Sequence, residues 1–133
     1  LLVVAFVGAM AWIGINNLIK DLTDVSDVQF PAARSMLTAD MMHDGLRSVA
    51  YRAIFLSDTT DEASKKETHE ELLEKSNLFK SSISEIEKLD VRKETKANIE
   101  KIKPHLESYL KGSEEIVSLS LDGKNKESKK KSS

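Results

Sequence analysis

Residues 61–89, DEASKKETHEELLEKSNLFKSSISEIEKL, decide the fold. Leu72, Phe79, Ile83, Ile86 and Leu89 recur at three- and four-residue steps, with Ser76 filling one step, and the remaining positions are dominated by Lys, Glu and Ser. That spacing gives a helix with one buried seam, the geometry of a bundle or coiled-coil face; a half-buried strand would alternate every second residue. The segment holds neither Gly nor Pro, so nothing interrupts it.

Turn signals flank this helix and repeat along the chain. Ser57-Asp58-Thr59-Thr60-Asp61 precedes it, and Thr59 with Glu62 three residues on has capping-box spacing. Leu89-Asp90-Val91 follows it, with Asp90 placed to cap the next helix. Asp122-Gly123-Lys124-Asn125 makes a third turn, Gly123 suiting a left-handed helix stop and Asn125 a new start. The turns recur at about 31–32 residues, so each helix is on the order of 43 Å long. These boundaries predict water-facing helices over about 20–57, 61–88 and 91–121, with a fourth starting near 125 and cut short at Ser133. Long helices with short turns pack as antiparallel neighbours. The expected fold is all-α: an up-down antiparallel four-helix bundle with a truncated fourth helix.

In the helix of 91–121, Ile99, Ile102, Leu106, Tyr109 and Ile116 form the expected seam, with Ser113 filling a step and Pro104 inside as a kink or hydrogen-bond break. The helix of 20–57 carries two stripes. Met42, Leu46, Val49, Ala53 and Leu56 form a core seam, and Leu37, Asp44, Arg47, Tyr51 and Ile54 lie about 200° around the wheel. Apolar residues on opposite sides predict burial on both. One side would face the bundle and the other a second subunit, so Leu37, Asp44, Tyr51 and Ile54 are candidates for a homodimer face; the alternative is a helix central to one bundle.

Ahead of these helices, Leu1–Ile19, LLVVAFVGAMAWIGINNLI, contains no charge. Nineteen helical residues reach about 28 Å, close to the ~30 Å hydrocarbon core of a bilayer. Residues 1–19 are therefore read as a transmembrane anchor and 20–133 as the water-facing domain. Ala9-Met10-Ala11 has the form of a signal-peptidase site, but the apolar run continues through Trp12, Ile13 and Ile15, which favours the anchor. Trp12 and Asn16-Asn17 mark the exit at the interface, and Lys20 is the single basic residue before Asp21, Asp24 and Asp27. Scarce Lys and Arg at this exit fit the non-cytoplasmic side. Because the sequence starts with leucine and stops early in a fourth helix, the natural chain is expected to extend at both ends.

All 42 charged residues, 20 basic and 22 acidic, follow the apolar segment. Lys124–Ser133 carries +4, so the net charge of −2 leaves −6 for residues 1–123. An acidic body argues against a nucleic-acid partner, and the lysine-rich end reads as the solvated face of the fourth helix. With no cysteine there is no disulfide framework or thiolate metal site. Asp40, His43 and Asp44 share a face at chelating spacing, yet only one imidazole is present and no metal site is expected. No phosphate loop, nucleophile elbow or HExxH motif occurs, so the chain reads as a non-enzyme with no cofactor.

Phe30-Pro31-Ala32-Ala33-Arg34 and Asp40-Met41-Met42-His43-Asp44-Gly45-Leu46-Arg47, following a membrane anchor and leading into helices of this length, resemble the first helix of the four-helix-bundle sensor domain of methyl-accepting chemotaxis proteins. The resemblance covers the anchor and about three of four helices. It implies the sensor region of a bacterial transmembrane chemoreceptor, held in the inner membrane with its bundle on the periplasmic or extracellular side. It also implies a homodimer through the first helix, signalling to a kinase pathway in chemotaxis. The same bundle is carried by sensor kinases and cyclases, and a membrane-tethered structural or adaptor bundle is the alternative. In that family first-helix arginines hold a ligand carboxylate. Arg47 matches best by position, with Arg34 and Arg52 behind it, and a small molecule or a periplasmic binding protein would be the partner. The competing role for Arg47 is a surface ion pair with Asp44 three residues before it.

Overall fold

The computed structural model describes residues 1–122. Helix α1 covers Leu2–Asp24, a π-helical turn covers Val25–Gln29, and α2 covers Phe30–Leu56. Helices α3, Glu62–Lys88, and α4, Lys93–Leu121, complete the described chain, which contains no strand among those residues. The fourth bundle helix expected from 125, the stop at Gly123 and the basic run Lys124–Ser133 lie outside the described residues.

The first two segments form one helical path. Pro31 falls inside this path, just past the π-helical turn, where it has no N–H to return to the preceding turn. The helix expected to run unbroken from about 20 instead changes pitch at Val25–Gln29, where the Phe30 N–H donates to the Val25 carbonyl five residues back. Asp24 accepts a hydrogen bond from Gln29 Nε2 at 2.5 Å, so a side-chain bond spans the wide turn in the same five-residue register. The apolar residues of α1, from Leu1 to Leu22, are exposed, as expected of a segment whose partner is lipid.

Helices α2, α3 and α4 run up, down and up. Ser35 pairs with Glu85 and Arg52 with Glu71, so α2 and α3 are antiparallel. Lys103 pairs with Glu87 and Lys80 with Glu114, so α3 and α4 are antiparallel too. Helix α2 makes the two larger interfaces, chiefly with α3 and then with α4. Its buried face is Ser35, Ala39, Leu46, Val49, Ala50 and Ala53, with Met42 packed against the cluster and Leu56 half-buried. Leu46 and Val49 are fully excluded from solvent.

The predicted seam of α3 is observed at Leu72, Ser76, Phe79 and Ile86, with Ile83 and Leu89 partly buried. The seam of α4 is rotated by one residue from the expected one. Leu110, Ser113, Val117 and Ser120 are buried, Tyr109 and Ile116 flank the core, and Ile102 is exposed. Tyr109 turns to the side because its hydroxyl seeks a polar partner, and Leu110 takes the centre. Helix α4 continues through Pro104.

Two expected caps are also corrected. Asp61 caps α3, accepting from the Ser64 N–H at 3.1 Å and the Ser64 hydroxyl at 2.6 Å, while the Thr59 hydroxyl turns back to the Leu56 carbonyl. A carboxylate beside the first-turn N–H groups outcompetes a hydroxyl two residues earlier. Asp90 does not cap α4, which starts after Arg92 without a side-chain cap; Asp90 instead meets Lys96 Nζ at 3.5 Å.

Small hydroxyl residues occupy much of the core. Ser82 and Ser113 donate to the Leu78 and Tyr109 carbonyls one turn back in their own helices, while Ser76 Oγ and Ser120 Oγ are buried without a partner among the described residues.

Candidate functional site

Helix α2 carries all three candidate arginines, and each has a different surrounding. Arg34 lies one turn past Pro31 and borders an open cleft of about 700 Å³ between the start of α2 and the second half of α3. Phe30 and Leu78 supply apolar wall, and Ser35, Ser82 and Glu85 supply polar wall. The Ser35 hydroxyl donates to Glu85 Oε2 at 2.8 Å, which fixes the carboxylate on the α3 side. The Thr38 hydroxyl donates to the Arg34 carbonyl at 3.0 Å, which steadies the helix beneath it. No ion pair among the described residues engages the Arg34 guanidinium, so the cleft presents a free cation on one wall and an anchored anion on the other.

Arg47 is exposed about 140° around α2 from Arg34 and likewise has no ion pair among the described residues. The expected Asp44–Arg47 bridge does not form; Asp44 Oδ1 sits 3.6 Å from His43 Nδ1 instead. Arg47 does act through space on Tyr109, whose phenol is pushed up mainly by burial, an effect that the Arg47 charge opposes. Arg52 is committed to Glu71 at 2.7 Å, and Glu71 also holds Lys75 at 3.2 Å. Gly45 leaves room for that lysine: a Cβ there would lie 2.9 Å from Lys75 Cδ. The structure therefore does not gather the three arginines into one site; it spreads them along α2.

Of the candidate dimer-face residues, Leu37, Asp44 and Tyr51 are exposed, and Ile54 is half-buried at the edge. Phe30, Met41 and Phe55 join them as exposed apolar side chains, Phe55 at 80%. Phe30, Leu37, Met41, Tyr51 and Phe55 fall on one heptad row, with Arg34, Asp44 and Ser48 at the positions between them, so the outward line is centred on Leu37 and Phe55 rather than on Arg47 and Ile54. That signal was present in the spacing from Phe30 onward. Glu85 had no such signal, because its role depends on where α3 crosses α2. Among the described residues no three His, Cys, Asp or Glu side chains converge on one point, and the His43 ring stacks on Tyr109.

An apolar helix long enough to cross a membrane runs directly into a bundle of long antiparallel helices, the plan of a helical-bundle module on a membrane helix. The chain belongs to the family of four-helix-bundle sensory modules for signal transduction found in methyl-accepting chemotaxis proteins, whose family model matches residues 1–132. No curated protein and no solved structure matches it.

Proposed function

We propose that this chain is the periplasmic or extracellular sensor region of a dimeric bacterial chemoreceptor, which binds a small carboxylate-bearing ligand and relays the event to a kinase pathway. The observation that carries the reading is the single helical path from Leu2 to Leu56: the apolar segment and the arginine-bearing helix are one rod. A displacement of α2 on binding is transmitted along that rod into the membrane, and a ligand shifts the balance of two positions by its difference in affinity for them. The exposed line Phe30, Leu37, Met41, Tyr51 and Phe55 fits a parallel second copy, since both copies would be anchored in one membrane.

The Arg34 cleft is the favoured ligand site. A free guanidinium grips a carboxylate through two parallel hydrogen bonds, and the Glu85 carboxylate opposite suits a ligand that also bears an ammonium group. The test is thermal unfolding of the full-length receptor in nanodiscs against a panel of organic acids and amino acids. A saturable rise in Tm that Arg34→Ala abolishes and Arg47→Ala retains is expected. Loss with Arg47→Ala alone would move the site to Arg47, and no saturable shift with any compound would defeat the ligand reading.

A further inference from the structure

The π turn at Val25–Gln29 divides one rod into two phases. A wide turn absorbs one extra residue, so everything before it is rotated by about 100° relative to an uninterrupted α-helix. Counting back from Phe30 with one residue absorbed places Leu22, Leu18, Ile15 and Ala11 within about 40° of the line through Phe30, Leu37, Met41 and Phe55. An uninterrupted α-helix would place Thr23, Ile19, Asn16 and Trp12 on that line instead. The wide turn thus joins the exposed apolar line of α2 to an all-apolar line of α1. Without it the line would meet an asparagine at the membrane interface and a threonine just beyond it.

We propose that the π turn is a phase adapter that gives the span and the sensor helix one continuous seam for a second copy of this chain. The Asp24–Gln29 side-chain bond, which bridges the turn in its own five-residue register, holds the extra residue in place. The Phe30 N–H bond to the Val25 carbonyl is the backbone counterpart. A single-residue insertion of this kind can migrate or dissolve, and its loss would turn the span by about one residue relative to the bundle. The inference rests on the dimer reading above, and its test separates the two.

The test is disulfide crosslinking in native membranes with the full-length receptor, whose described sensor region has no cysteine of its own. Leu37→Cys reports the α2 seam; Leu22→Cys and Ile15→Cys report the adapted phase, and Thr23→Cys and Asn16→Cys the uninterrupted one. Strong crosslinking at Leu37→Cys, Leu22→Cys and Ile15→Cys, with several-fold less at Thr23→Cys and Asn16→Cys, is expected. A maximum at Thr23→Cys and Asn16→Cys, with Leu37→Cys still crosslinking, overturns the adapter while the dimer stands. No crosslink at Leu37→Cys overturns both. Deleting Asp27 supplies a second readout: it removes the extra residue, so the turn becomes α-helical and the Leu22→Cys and Ile15→Cys pattern stays. A pattern that moves on this deletion shows that the wild-type junction was never widened, and overturns the proposal.

Discussion

Tyr109 meets His43 twice: its hydroxyl donates to the His43 carbonyl at 3.0 Å, and its ring stacks on the imidazole with centroids 4.6 Å apart. This pair ties α4 to the middle of α2, the helix that leads from the membrane. Tyr109→Phe keeps the ring and loses the hydrogen bond, a cost of about 1 kcal/mol. Burial favours the neutral phenol in the folded state and raises its pKa above the ordinary 10.0. The stability it contributes is therefore complete below the unfolded value and is lost as pH rises through the folded one. Thermal unfolding followed by circular dichroism should show the gap between wild type and Tyr109→Phe closing in strongly alkaline buffer. A gap independent of pH would count against the assignment.

The cap on α3 predicts the opposite pH response. Hydrogen bonds from the Ser64 side chain and backbone lower the Asp61 pKa below 3.8. Its contribution is present above the unfolded value and is lost as pH falls through the folded one. Asp61→Ala should lower Tm at neutral pH and leave it unchanged in strong acid. An equal deficit at both ends would mean that the carboxylate charge has no part in the cap.

The two faces of α2 should answer mutation differently. Leu46 is completely buried, and Leu46→Ala should cost about 3 kcal/mol by leaving a cavity. Phe55 is 80% exposed in the single chain, so Phe55→Ser should leave the fold of one copy nearly unchanged and weaken association. Unfolding curves and sedimentation in detergent separate these effects. A Phe55→Ser variant as associated as wild type would remove Phe55 from the seam.

Ser76 and Ser120 offer a gain of stability. Each hides a hydroxyl with no partner among the described residues, and such a group costs about 1–3 kcal/mol to bury. Replacing either serine with alanine removes the stranded polar atom at little loss of volume, so Ser76→Ala and Ser120→Ala should each raise the unfolding midpoint. A lowered midpoint would show that the hydroxyls hold bonds after all.

The repeating parts of this architecture were legible because periodicity reports burial directly. The α3 seam from Leu72 to Ile86 and the span of the three bundle helices emerge from spacing alone. The α4 seam was read one residue off because Tyr109 looks as apolar as Leu110 until its hydroxyl has a carbonyl to reach. The caps were misplaced because Thr59, Asp61 and Asp90 all suit a cap, and backbone geometry chooses among them. The π turn was missed because the weak helix formers of Val25–Gln29 and Pro31 just after it do not by themselves specify a widened turn, and the extra residue shows only as a change of phase between flanking patterns. In the cleft, Arg34 was visible as a residue type, but Glu85 comes from fifty residues away along the chain and needed the α2–α3 crossing to bring it opposite.

The serines at the helix interfaces have a mechanical meaning. At four positions where a leucine would notch one helix into the next, Ser82 and Ser113 bond back into their own helices, and Ser76 and Ser120 have no partner among the described residues. None of these four latches onto a neighbouring helix among the described residues, so at these positions the inner surface supplies no polar link between helices. What holds α2 in register along its axis is therefore a small set of discrete ties, Ser35 to Glu85, Arg52 to Glu71 and Tyr109 to the His43 carbonyl, together with the apolar side chains between them.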